Sequence, residues 1–147
     1  MFNKILFPVE SSDLSHRVYQ TLKEISEKYN SEILILHGYE NPDINYGHPT
    51  ATFSYNNLRN EIESNLVEEG KSILNKVKKE IESFGIKTTT ILKKGDIKSL
   101  IIECITSESC DLVIMSSRGN KKIKNLLLGS VSNYVLHHTK CPVFLIH

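Results

Sequence analysis

The sequence has no tryptophan, only three cysteines and four prolines, and almost no excess of either charge. Each shortage narrows what the chain can be. Cys104, Cys110 and Cys141 are odd in number and form no CxxC pair. That argues against a disulfide framework and for free thiols, buried or half-buried, in a reducing compartment. The six histidines show no HxxxH or HExxH spacing, so no metal site is expected. Lys and Arg number 18 against 17 Asp and Glu, a formal net charge of +1, which supplies no general pull toward nucleic acid or an anionic membrane. No apolar run approaches the roughly 20 residues of a membrane span. The opening MFNKILFPVE has neither the long apolar stretch nor the small-residue cleavage site of a signal peptide. The expectation is a cytoplasmic protein with no nucleic-acid and no membrane partner.

What remains is the composition of an ordinary globular chain, 39% hydrophobic and 24% charged over 147 residues, which is long enough for one well-buried domain, 1–147. Strand and helix patterns alternate along it. Lys4–Val9 (KILFPV) reads as a first strand. Ser12 or Asp13 can cap a helix whose apolar residues Leu14, Val18, Leu22 and Ile25 recur every three to four positions. Ser31–His37 (SEILILH) is a second strand, followed by Gly38–Asn57, which is rich in Gly, Pro, Asn and Tyr and irregular in pattern. Leu58, Ile62, Leu66, Ile73, Val77 and Ile81 then mark one face of a long helix, acidic in its early turns and basic in its late ones, with Gly85 as its stop. Ile86–Leu92 is a third strand, and Gly95-Asp96 opens a helix with Ile97, Leu100, Ile101, Cys104 and Ile105 on its apolar side. Asp111–Met115 is the fourth strand. Val131–His138 is a last helix, and Val143–Ile146 is the fifth strand, with Pro142 at its start.

This alternation predicts a single-domain α/β fold: a five-stranded parallel sheet of order 3-2-1-4-5 with helices on both faces, Rossmann-like. In such sheets ligands bind beyond the carboxyl ends of the strands, where the strand order reverses. Here that is between strands 1 and 4, at the loops Val9-Glu10-Ser11-Ser12 and Ser116–Leu128. The second loop lies within Met115–Val131, MSSRGNKKIKNLLLGSV: the end of a strand, a loop with glycine and cations, and a helix starting on Gly129-Ser130. Free N–H groups of a first helical turn and the helix dipole favour an anion, and glycine lets the backbone come close to it. Arg118, Lys121, Lys122 and Lys124 crowd this loop, either as phosphate contacts or as solvated loop charges. Tyr39, Tyr46, Phe53 and Tyr55, after strand 2, can form a lid that stacks on a base or can simply anchor their loop. The chain lacks GxxxxGK[ST], carries ESSDLS rather than SGGxDS after strand 1, and shows no Ser/His/Asp order or paired carboxylates at the loop.

Gly119, nine intervening residues and Gly129-Ser130, together with KILFPVESS, ILILHGYE, GDIKSLIIE, DLVIM, LLLGSVS and HHTKCPVFLIH, give the chain its family likeness. It resembles the universal stress protein family, of the adenine nucleotide alpha hydrolase-like superfamily, along its whole length. The resemblance implies a cytoplasmic stress-response regulatory dimer. Some members of the family bind ATP and others do not. For a binder, the resemblance implies ATP, with Mg, in contact with Pro8, Val9, Glu10, Gly38, Met115, Ser116, Ser117, Arg118, Gly119, Gly129, Ser130, Val131 and Ser132. It also implies a homodimer through antiparallel pairing of Val143–Ile146. Two positions depart from the pattern: Ser116 stands where the signature has its first glycine, and Glu10 where an Asp is usual. The alternative they leave open is a dimeric interaction protein that binds no nucleotide. Slow ATP hydrolysis, with Glu10 as a magnesium or water contact, is a third reading.

Overall fold

The computed structural model describes residues 1–42, 52–117 and 128–147. Five strands, Lys4–Pro8 (β1), Glu32–Tyr39 (β2), Thr88–Lys94 (β3), Leu112–Ser116 (β4) and Val143–Ile146 (β5), form one sheet of order β3-β2-β1-β4-β5. Every neighbouring pair is parallel. Parallel neighbours need crossovers, and four helices fall between the strands: His16–Tyr29 (α1), Thr52–Glu82 (α2), Ile97–Ser107 (α3) and Ser130–His138 (α4). The expected strand order and doubly covered sheet are therefore present.

Side chains on a strand point alternately to its two faces, and the sequence fills both faces with aliphatics. Ile5, Phe7, Ile33, Ile35, Leu112 and Ile114 pack with Val18 and Leu22 of α1 and Leu74, Val77 and Ile81 of α2. On the other face, Leu6, Leu34, Leu36, Val113 and Met115 pack with Leu100, Ile101 and Cys104 of α3 and Val135 of α4. Burying each large aliphatic chain contributes about 1.5–3 kcal/mol, and in β1 the residues Ile5, Leu6 and Phe7 have no exposed surface at all. The central strand is thereby the fixed point from which the loop ends project.

Local chemistry sets the boundaries, and several differ from the sequence pattern. α1 starts at His16 behind Ser15, because Ser11 to Leu14 are used in a turn: Asp13 N–H donates to Ser11 Oγ at 3.0 Å and Leu14 N–H to the Ser12 carbonyl at 3.1 Å. β2 runs through Gly38 to Tyr39, held by pairing with Lys93 and Lys94 of β3. β2 ends at Tyr39 and α2 begins at Thr52, so both elements reach into Gly38–Asn57 and Tyr55 belongs to the helix. α3 is capped as expected, with the Asp96 carboxylate accepting from Ser99 N–H at 3.3 Å. The turn before it needs glycine: Gly95 has φ 143°, a backbone conformation side chains rarely adopt.

Candidate functional site

All five strands end on the same side, so the segments after β1, β2, β3 and β4 meet there. Val9, Glu10, His37, Gly38, Tyr39, Glu40, Gly95 and Ile97 line a cavity of about 250 Å³. A second cavity, about 430 Å³, lies toward α2 and is lined by Glu10, Ser11, Ser12, Glu69, Ser72, Ile73 and Lys76. Glu10 borders both.

Gly38 is shaped by packing from one side. A Cβ at that position would stand 2.9 Å from Leu100 Cδ1 and 3.2 Å from Ile97 Cδ1, so the start of α3 presses on the β2 backbone here. Along β2 the peptide groups alternate between neighbours. The Leu36 carbonyl accepts Val9 N–H at 2.9 Å, and the Tyr39 carbonyl accepts Gly95 N–H at 2.9 Å. Gly38, of the same parity as Leu36, therefore turns its N–H and C=O toward the β1 side, where the pairing has already ended at Pro8 and Leu36.

At the other end of the crevice α4 begins. Its N-cap is Gly129, with φ −60° and no side-chain hydrogen bond to the first turn. A Cβ on Gly129 would meet only Ser132 Oγ, at 3.7 Å, among the described residues. Neither its dihedral angle nor its neighbours there require a glycine. Its effect is to leave room beside the uncapped N–H groups of the helix.

The residues expected at the site are distributed as follows. Pro8 is the last residue of β1, Val9 is buried and Glu10 exposed in the next two positions. Met115 turns its side chain into the core under α3 and α4, so only its backbone can reach the crevice. Ser116 closes β4 with an ordinary negative φ, since Asn30 and Ser109 are the non-glycine residues with positive φ among those described. Its Cβ costs no strain. Ser117 is tied to the end of β5: its N–H donates to the Ile146 carbonyl at 2.8 Å, its Oγ to the same oxygen at 3.1 Å, and Oγ lies 2.9 Å from His147 Nδ1. Gly129 and Ser130 are exposed, and Val131 packs partly against the core. Arg118, Gly119, Lys121, Lys122 and Lys124, with Tyr46 of the proposed lid, lie outside the described residues. Tyr39 borders the cavity from β2.

His37, which lines the first cavity, and Asn41, just beyond β2, have no counterpart among the site residues of the sequence reading. His37 is buried at 9% exposure, with Nδ1 2.8 Å from the Val9 carbonyl. Asn41 donates to Glu63 Oε2 at 3.3 Å, while Lys94 reaches Glu63 Oε1 at 2.9 Å and its hydrogen bond holds that carboxyl below its usual range. The Asn41 Oδ1 is buried with no hydrogen-bond partner. A histidine closing the apolar run SEILILH was the available signal for the first; nothing in the sequence marks the second. Among the described residues no group of three or more His, Cys, Asp or Glu could hold a metal ion, and no helix is long and apolar enough to cross a membrane.

Comparison with known proteins adds an independent finding. Residues 1–147 match the model of the Universal stress protein family. Universal stress protein MJ0577 of Methanocaldococcus jannaschii is 28% identical, the alignment covering 99% of this chain and 95% of that protein. Universal stress protein YxiE of Bacillus subtilis is 26% identical with 99% of each chain covered. The solved structure of MJ0577 superposes with a TM-score of 0.79 at 27% identity, covering 99% of this chain and 96% of that one. Two nucleotide complexes share the fold. One is the Archaeoglobus fulgidus universal stress protein with dAMP, at TM-score 0.68, 15% identity and coverage of 99% and 98%. The other is an Arabidopsis thaliana family protein with AMP bound, at TM-score 0.65, 22% identity and coverage of 98% and 90%.

Proposed function

The chain belongs to the universal stress protein family, and from that premise we propose that it is a regulatory protein that binds an adenine nucleotide across the carboxyl ends of β2, β1 and β4. One observation carries the reading: the crevice offers a peptide donor and acceptor at one end and an uncapped helix start at the other. A residue presenting N–H and C=O side by side matches the Watson–Crick edge of adenine, whose N1 accepts and whose N6 amino group donates. Guanine reverses both and would place donor against donor. At the α4 end, first-turn N–H groups that the N-cap Gly129 does not cap, together with the helix dipole, suit phosphate. The dAMP and AMP bound by the two fold relatives share the adenine and a phosphate.

ATP, with Mg, is the proposed ligand, because added phosphates extend toward Gly129-Ser130 and the signature segment that precedes them. Val9 and Glu10 border the base and ribose, with the carboxylate of Glu10 as the ribose acceptor. The protein works as a cytoplasmic homodimer paired through Val143–Ile146. No catalytic residue is assigned.

Isothermal titration calorimetry with AMP, ATP and GTP, on wild type and Gly129→Val, tests this. We expect both adenine nucleotides to bind and GTP to bind at least about tenfold more weakly, as befits a mispaired buried donor. Gly129→Val should lose at least about tenfold in ATP affinity with the fold retained, because among the described residues the added side chain meets Ser132 and no core. No heat from ATP or AMP at millimolar concentration would overturn the reading in favour of a family member that binds no nucleotide.

A further inference from the structure

We propose that His37 is a positioning residue that ends the β1–β2 ladder one rung early and so keeps the Gly38 N–H available to a ligand; the ligand's identity rests on the adenine-nucleotide reading above. The parallel register pairs Lys4 with Glu32 through Pro8 with Leu36. Continued by one residue, it would set Val9 opposite His37. That rung has two bonds in a parallel ladder: Val9 N–H to the Leu36 carbonyl, and Gly38 N–H to the Val9 carbonyl. The first is present at 2.9 Å. The second is replaced, because the Val9 carbonyl receives the imidazole of His37 at 2.8 Å. A carbonyl can only accept, so Nδ1 carries the proton and the tautomer is fixed.

The imidazole is held to this task from the opposite side. α2 crosses β2 at Gly70, and a Cβ on Gly70 would stand 3.0 Å from His37 Cδ2 and 2.6 Å from Leu92 Cδ1. Only a glycine lets the helix come this near, and the helix backbone then closes off other rotamers of the ring. His37 thus does two things with one hydrogen bond. It satisfies a buried carbonyl at the point where Glu10 leaves the sheet, and it spares the Gly38 amide from being consumed by the ladder. A ligand base can use that amide without first breaking a backbone bond, a case of preorganisation.

The test compares wild type with His37→Leu, which fills the space but cannot donate, and His37→Asn, whose amide nitrogen falls where Nδ1 was. Hydrogen exchange of the Gly38 amide, followed by NMR on ligand-free protein, reads the ladder directly. In wild type that amide should exchange at least about tenfold faster than in His37→Leu, where the rung closes on the Val9 carbonyl. AMP affinity should fall about tenfold in His37→Leu and stay within about threefold of wild type in His37→Asn, the loss of one buried hydrogen bond. Equal protection of Gly38 in wild type and His37→Leu, or measurable and equal AMP affinity in the two, would overturn the proposal. If His37→Leu does not fold, His37→Gln replaces it, since its amide reaches the Nε2 position instead. A wild type that binds no AMP sinks the nucleotide reading alone, because the exchange measurement still decides whether His37 withholds Gly38 from the ladder.

Discussion

Cys110 precedes β4 with its thiol directed at the Cys104 carbonyl, 3.9 Å away, and burial pushes its pKa from 9.0 up to about 11. Burial likewise raises the thiols of Cys104 and Cys141, the latter directed at the Cys110 carbonyl at 3.6 Å. The thiolate is the reactive species, and at pH 8 a thiol with the Cys110 value is ionised in about one molecule in a thousand, against about one in ten at 9.0. Raising the pH toward 11 should therefore speed its labelling steeply. The expected outcome with a chromogenic disulfide reagent at pH 8 is slow modification of Cys110 in the native protein and prompt modification of all three cysteines in denaturant. Prompt native labelling of Cys110 would show the packing under α3 to be open. The sequence already pointed to buried or half-buried free thiols, from their odd number and the lack of a CxxC pair. It could not point to His37, because the role of that histidine depends on where a neighbouring strand stops pairing. Ser116 shows the reverse case: it departs from the signature glycine, and its backbone at the end of β4 has no positive φ, so the added Cβ brings no conformational strain.

At the scale of elements, α2 is the least legible part and the most consequential. Its apolar periodicity was visible from Leu58 onward, but the helix starts at Thr52, because Tyr, Phe and Asn carry little helix signal of their own. Gly70 falls in its middle, where glycine costs a helix roughly 1 kcal/mol relative to alanine. The compensation is contact with the sheet. Replacement by alanine gains the propensity but places a methyl 2.6 Å from Leu92 and 3.0 Å from a histidine ring that cannot swing aside. Overpacking of this kind costs about 1–3 kcal/mol. Gly70→Ala should therefore lower stability by about 1 kcal/mol, read as a fall in the midpoint of urea unfolding at constant slope. A rise in the midpoint would mean that α2 does not lie this close to β2. The strands and α3 were legible because long aliphatic runs, Gly95 and the Asp96 cap encode them locally. The close approach of a helix to a sheet is encoded only in the assembled structure.

The whole molecule has two sheet edges of opposite character, and that asymmetry bears on assembly. At the β3 edge, Lys93 and Lys94 are engaged by Glu103 and Glu63, a charged border of the kind that discourages pairing. The β5 edge has no charge: Val143–Ile146 is VFLI, bonded to β4 on one side. Phe144 there is 45% exposed, among the most exposed large apolar side chains described. An apolar, uncharged edge four residues long suits self-pairing about a two-fold axis, in which the same strand meets itself antiparallel. Ser117, at the start of the signature loop, is bonded to Ile146 and His147 at the end of this strand, so a dimer would brace the loop as well as cover the edge. Phe144→Lys places a charge at the proposed seam while leaving the fold intact, because Phe144 contributes little to the core of one chain. Sedimentation velocity at about 50 μM should give a dimer for wild type and a monomer for Phe144→Lys, since two like charges brought together across an isologous interface repel and must both be desolvated. A dimer that survives the substitution would move the interface away from β5, and a monomeric wild type would remove it.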